Sequence, residues 1–197
     1  LEWLEKYTFP TEAKFSDINV ANSTAEFFCD ELLRNGTTTS AVFATIHPES
    51  VDAIFRAAQK RDMRLISGKV MMDRNAPDFL CDTAQSSYDD SAKLIEKWHR
   101  NGRALYAVTP RFAPTSSDAQ LRVAGRLLQE YDGLYLQSHV AENADEVAWV
   151  AELFPERRSY LDVYDHYGLV GKRSIYAHCI HLDQTYLLYK STNNRDT

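Results

Sequence analysis

The stretch Gly133-Leu-Tyr-Leu-Gln-Ser-His-Val-Ala-Glu-Asn143 decides the fold. Leu134 and Leu136, with the aromatic Tyr135 between them, read as a strand buried on both faces, as the strands of a parallel sheet are. Polar chemistry begins where the apolar run stops, at His139 and Glu142. In a parallel α/β architecture, ligands and reacting groups gather at the carboxyl ends of the strands, so these two residues stand where a site is expected. Residues three apart on a strand point to opposite faces. Both can serve one site only if the strand ends near Val140 and Glu142 turns back on a loop. The functional reading is a neutral imidazole binding a metal and a free carboxylate moving protons. The structural alternative is a hydrogen-bonded strand-end His and a solvated Glu capping the next helix.

Working outward, the same unit recurs on both sides. Residues 37–45, 64–72, 105–109 and 174–180 are short, apolar or β-branched runs that read as strands. Between them the apolar spacing predicts helices. One covers residues 19–34, carries Ala21, Ala25, Phe28, Leu32 and Leu33, and closes at Asn35-Gly36. Another opens on Pro48 with Val51, Ile54, Phe55 and Ala58 on one face. Further helices are expected at about 88–99 and 118–130, after Glu142 with Val147, Val150 and Leu153, and from Ser159 through Tyr164. Residues 1–7 read as the end of a helix, with a turn at Pro10. Five strands thus alternate with helices every thirty to forty residues or so, roughly the repeat of β/α units. No linker or repeat interrupts residues 1–183. Residues 184–197 end in the unpatterned Ser191-Thr-Asn-Asn-Arg-Asp-Thr197 and read as an irregular tail.

The chain has 197 residues and a net charge of −6. The sequence shows no clustered Lys and Arg stripe of the kind that phosphate backbones require, which argues against a nucleic-acid partner. Nor is there an apolar run long enough to span a bilayer, or a secretory signal, which argues against a membrane. Cys29, Cys81 and Cys179 are odd in number and far apart, which suits reduced thiols in a cytoplasmic protein. The opening Leu-Glu-Trp-Leu, without an initiator Met, reads as the middle of a longer protein.

His139 and His178 end successive predicted strands, and in a barrel adjacent carboxyl ends converge on one axial pocket. Two imidazoles do not complete a catalytic zinc site, which takes three or more protein ligands. His181 is near in sequence, but strand geometry turns it away from His178. Arg111 and Phe112 sit on the preceding loop and combine a donor fork with a flat aromatic face, as a planar, oxygen-bearing heterocycle needs. Their structural alternative is a salt-bridged Arg and a Phe sealing the barrel mouth. His47, His99 and His166 are expected on surfaces or caps, and Lys69 beside an acid that the sequence does not name.

Six blocks carry a resemblance: Tyr7-Thr-Phe-Pro-Thr-Glu12, Asn35-Gly-Thr-Thr-Thr39, Gly68-Lys-Val-Met-Met-Asp-Arg-Asn-Ala-Pro77, Thr109-Pro-Arg-Phe-Ala-Pro114, Gln137-Ser-His-Val-Ala-Glu-Asn143 and Tyr176-Ala-His-Cys-Ile-His-Leu182. Together they resemble the guanine deaminase family of the amidohydrolase superfamily, in order, over residues 1–183. The resemblance implies a TIM (β/α)8 barrel that binds one Zn2+ and hydrolyses guanine, a small purine base, to xanthine and ammonia. It implies His139 and His178 as metal ligands, Glu142 as the catalytic proton shuttle, and Arg111, Phe112, His139 and Glu142 as substrate contacts. It also implies a His-x-His pair on the first barrel strand and a strand-end Asp on the last, neither of which the sequence contains. The chain is therefore expected to be a partial barrel of about five parallel strands, an incomplete copy inactive by itself.

Two alternatives stand beside this reading. One is another zinc amidohydrolase, acting on a triazine or a different aminated heterocycle. The other is a non-catalytic truncated form, associating with a homo-oligomer of the full-length protein or without a role. The absence of a His-x-Glu and Pro-Cys-x-x-Cys signature argues against the small zinc deaminases that flip bases out of nucleic acid.

Overall fold

A computed structural model describes residues 2–184. The expected tail beyond residue 184 lies outside the described residues. Strands β1 (Thr39–Phe43), β2 (Arg64–Gly68), β3 (Val70–Met71), β4 (Ala104–Pro110), β5 (Tyr135–Val140) and β6 (Ser174–His178) all pair in parallel. The order β1-β2-β4-β5-β6 follows the chain, and β3 carries β2 onward past Lys69 to pair with β4. The result is a curled half-barrel of five parallel strands: the β/α repeat predicts the parallel sheet, and the resemblance implies the partial barrel. The outer edges of β1 and β6 have no strand partner among the described residues.

Helices start where side chains satisfy the first free N–H groups. The Asp17 carboxylate accepts the Asn19 N–H at 2.8 Å and opens α2 (Ile18–Arg34), which Gly36 closes with φ +80°. Pro48 opens α3 (Pro48–Lys60), whose buried face includes Val51, Ile54, Phe55 and Ala58. A capping box between Thr83 and Ser86 starts α4 (Ala84–Trp98) one turn before the apolar spacing suggests. Ser117 caps α5 (Asp118–Glu130), and α6 (Ala144–Leu153) and α7 (Tyr160–His166) follow β5.

The turn expected at Pro10 is not there. A π-helical turn at Leu4–Thr8 runs directly into α1 (Phe9–Glu12) and a 3-10 turn at Ala13–Ser16. Pro10 follows the π-helical turn directly, and the Phe9 N–H bonds back to the Leu4 carbonyl in the wider ring, so the proline is accommodated and the segment stays helical.

The main apolar core lies between the sheet and the helices, with Leu65, Tyr106, Val108, Leu121, Leu127 and Leu136 almost wholly out of water. A smaller cluster of Phe9, Ile46, Val70, Met72 and Leu80 brings α1 against the strand ends. Lys69 is buried and pairs with Asp82, the acid the sequence did not name. Gln120 completes that cluster, donating to Asp82 Oδ1 at 2.8 Å and to Ser87 Oγ at 2.9 Å. Cys29, Cys81 and Cys179 are free thiols, and no described helix is long and apolar enough to cross a membrane.

Candidate active site

The strand in the opening stretch ends at Val140, and Ala141 takes a left-handed φ of +52° that turns the chain back. Glu142 is thereby carried to the carboxyl end of β5, on the side of His139. It does not cap the helix: Asn143 does, its side chain accepting the Glu146 N–H at 2.9 Å.

His139 Nδ1 lies 2.8 Å from the Arg111 carbonyl oxygen, which also accepts the His139 main-chain N–H at 3.1 Å. A carbonyl can only accept, so Nδ1 carries the proton and Nε2 keeps its lone pair. Burial, more than any neighbouring charge, holds the imidazole pKa below its ordinary value and favours the neutral ring. This is the form in which a histidine binds a metal, with a carbonyl fixing the ring from behind.

His178 reaches the same place by a less regular route. The register pairs Val140 with His178 and His139 with Ala177, so a regular pleat would turn His178 to the face that Val140 occupies. Instead His178 has φ +71°, and its ring stacks beside that of His139 with centroids 5.4 Å apart. His178 Nε2 is also 3.7 Å from Glu142 Oε2, within ion-pair range and too long for a hydrogen bond. The three residues therefore converge.

They share an open cavity of about 790 Å³ with Arg111, Phe112 and Trp149. Phe112 is buried and meets the Trp149 ring edge-on at 6.3 Å. Arg111 lines the cavity and also has a partner: its Nη1 donates to both carboxylate oxygens of Glu12, at 2.7 and 2.9 Å. The salt-bridged Arg of the structural alternative and the cavity Arg of the functional one are thus the same residue. Trp3 and Leu4 close one side of the cavity.

Behind the site, the Tyr164 hydroxyl joins three segments. It donates to the His139 carbonyl at 2.7 Å and accepts from the Ala113 N–H at 2.9 Å and from Ser138 Oγ at 3.0 Å. Tyr164 is fully buried, and burial pushes its phenol pKa well up, so it stays protonated. Glu146 also lines the cavity and is buried, which raises its carboxyl pKa.

His181 lines a separate cavity beside Val147 and Tyr160, away from His139 and His178. His47 and His99 flank the ends of α3 and α4, and His166 is exposed at the end of α7. Glu12, Trp149, Glu146 and Tyr164 escaped the sequence reading. Glu146 and Trp149 lie one and two helical turns beyond the Glu142 loop, on the helix expected there, while Glu12 closes the first quoted block and Tyr164 ends a predicted helix, each without a role assigned from sequence.

The donors fit a zinc-like ion in kind: one imidazole with a free Nε2, a second beside it, and a carboxylate near both. In number they fall short. Among the described residues no group of three or more His, Cys, Asp or Glu side chains is arranged to hold a metal ion. An ion held by His139 and His178 therefore needs at least one further ligand.

The sequence profile of the amidohydrolase family matches residues 1–196. The chain is 58% identical to guanine deaminase from Escherichia coli (strain K12) over 184 residues, 93% of this chain and 42% of that protein. The solved E. coli guanine deaminase superposes with a TM-score of 0.92, covering 94% of this chain and 43% of the other. Guanine deaminase from C. acetobutylicum, solved with guanine bound in its active site, superposes with a TM-score of 0.93 at 37% identity, covering 98% of this chain and 46% of the other. The chain thus spans less than half the length of these relatives.

Proposed function

Because the chain belongs to the amidohydrolase family, we propose that its site serves the zinc-dependent hydrolytic deamination of guanine to xanthine and ammonia, in a cytoplasmic protein. The observation that carries the reading is the meeting of His139, His178 and Glu142 in the cavity that Arg111 and Phe112 line. The named activity of relatives that share 58% and 37% of its residues supports it.

His139 and His178 would hold the ion, whose chemistry when bound is to lower the pKa of a water molecule toward about 7. His139 presents Nε2 because the Arg111 carbonyl keeps the proton on Nδ1. Phe112 offers a flat apolar wall to a purine ring, and Arg111 offers N–H donors to its carbonyl. Glu142 moves the protons. Its carboxylate carries one proton from the attacking water to the ring nitrogen as the C–O bond forms, and the second from the added hydroxyl to the amine as the C–N bond breaks, so water and guanine become xanthine and ammonia.

A chimera tests this reading. The matching 184 residues of the E. coli enzyme are replaced by those of this chain. The chimera is expected to release ammonia from guanine in preference to adenine, and Glu142→Gln should lower that rate by about a hundredfold or more. A folded chimera that prefers another base, or that is indifferent to Glu142→Gln, would overturn the proposal.

A further inference from the structure

We propose that Glu12 is a positioning residue for base recognition: it holds the Arg111 guanidinium in one orientation, so that Arg111 can tell a ring carbonyl from a ring amine. The inference rests on the reading that Arg111 meets a purine carbonyl in the cavity.

Glu12 and Arg111 are far apart in the chain and meet through the fold. The helical path through the π turn and Pro10 continues into α1, and residues three apart on a helix share a face. Phe9 and Glu12 therefore reach Arg111 together. Glu12 takes Nη1 with both oxygens, and the Phe9 ring lies 5.5 Å below the guanidinium carbon. Both members of the ion pair are largely buried, with 12% and 14% of their side chains exposed. In such surroundings a charged hydrogen bond is strong and a lone charge is costly.

Two consequences follow for the cavity. Glu12 engages only Nη1, so the donors on Nε and Nη2 remain without a hydrogen bond among the described residues. A guanidinium is flat and rigid, so fixing one nitrogen over a ring fixes the direction of the others. The pair is also neutral as a whole. It offers directed donors to an uncharged carbonyl without the net positive charge that would collect phosphates or carboxylates.

The test uses the purified chain with hypoxanthine, which carries a ring carbonyl, and adenine, which carries an amine at the same ring position. Binding is followed by quenching of the cavity tryptophans, Trp3 and Trp149. The wild-type chain should favour hypoxanthine. Glu12→Gln should lower hypoxanthine affinity about tenfold while leaving adenine affinity unchanged. In the Arg111→Lys background Glu12→Gln should have no further effect on the ratio, because the two residues act as one unit. An unchanged ratio in Glu12→Gln, or an equal loss for both bases, would overturn the inference.

A second arm needs no ligand. The Arg111 side-chain N–H resonances in 15N NMR should show slow exchange and restricted rotation in the wild type, and lose both in Glu12→Gln. If the wild-type chain binds neither base, the deaminase reading of this site fails while the resonances still decide whether Glu12 orients Arg111. Identical resonances in the two proteins overturn the inference whatever the bases do.

Discussion

The imidazoles of His139 and His178 stack 5.4 Å apart although the strand register sets His178 against Val140. The left-handed backbone at His178 makes the difference, and such a conformation costs a non-glycine residue about 1–2 kcal/mol. His178→Gly should therefore raise stability by about 1 kcal/mol in denaturant unfolding. A loss of stability would show that the residue is not strained.

Zinc binding should fail in the same variant. Two protein imidazoles fall below the ligand count of a catalytic site, so the chain by itself should bind Zn2+ weakly and turn over little or no guanine. Competition with a chromogenic chelator should give equal losses for His139→Ala and His178→Ala, and no further loss in the double variant. Tight binding, or binding indifferent to either change, would argue against a shared ion.

Tyr164→Phe removes one oxygen and strands the partners of three hydrogen bonds behind His139 and Phe112. Leaving buried polar groups unsatisfied should cost about 2–3 kcal/mol. Urea unfolding measures it. A change under about 0.5 kcal/mol would mean that water reaches these groups.

Gly68 ends β2 where the strand lies tightly against β4. A Cβ added there would stand 1.8 Å from the Ala107 carbonyl oxygen, and neither backbone can retreat without opening the β2–β4 ladder. Gly68→Ala should cost about 3 kcal/mol or more. Hydrogen exchange at Ser67 and Tyr106 should show where the loss falls, and a wild-type unfolding midpoint would refute the contact.

Acid should weaken the fold in two stages. Burial is the largest cause of the lowered pKa of His47, His99 and His139. The unfolded chain therefore binds more protons than the folded one below the ordinary imidazole value. The stability these histidines support is complete above about pH 6.5 and is lost as pH falls toward their folded values. Carboxylates lowered by paired arginines, such as Asp118 beside Arg122, are lost only at more acid pH. The neutral His99 ring is also engaged, since Nδ1 accepts the Tyr106 N–H at 3.1 Å and cannot do so once protonated. His99→Gln should flatten the upper limb of a stability-against-pH curve, and an unaltered limb would assign it elsewhere.

The period of the strands and helices was legible because apolar residues repeat at the spacing each element buries. His139 and Glu142 were legible as a pair because one condition, a strand ending at Val140, decides where both point. The start of α4 was not, since Thr83 and Ser86 cap it through polar atoms that leave no apolar signal. Pro10 misled because proline breaks a regular helix interior, yet a π-helical turn just before it makes room for the ring, and nothing in the sequence announces that turn. Glu12 against Arg111 and Asp82 against Lys69 are long-range choices among many similar charges. The stacking of His178 on His139 depends on one left-handed residue, which nothing in Tyr-Ala-His-Cys announces.

Among the described residues the outer margins of β1 and β6 pair with no strand, and margins of that kind are templates for extended peptide. A segment arriving there in register can complete a hydrogen-bonded ladder with the backbone amides and carbonyls of either strand. Growth by such steps is open-ended, since each addition renews the template at its far side. A strand seated on either margin would thus extend the sheet without entering the pocket.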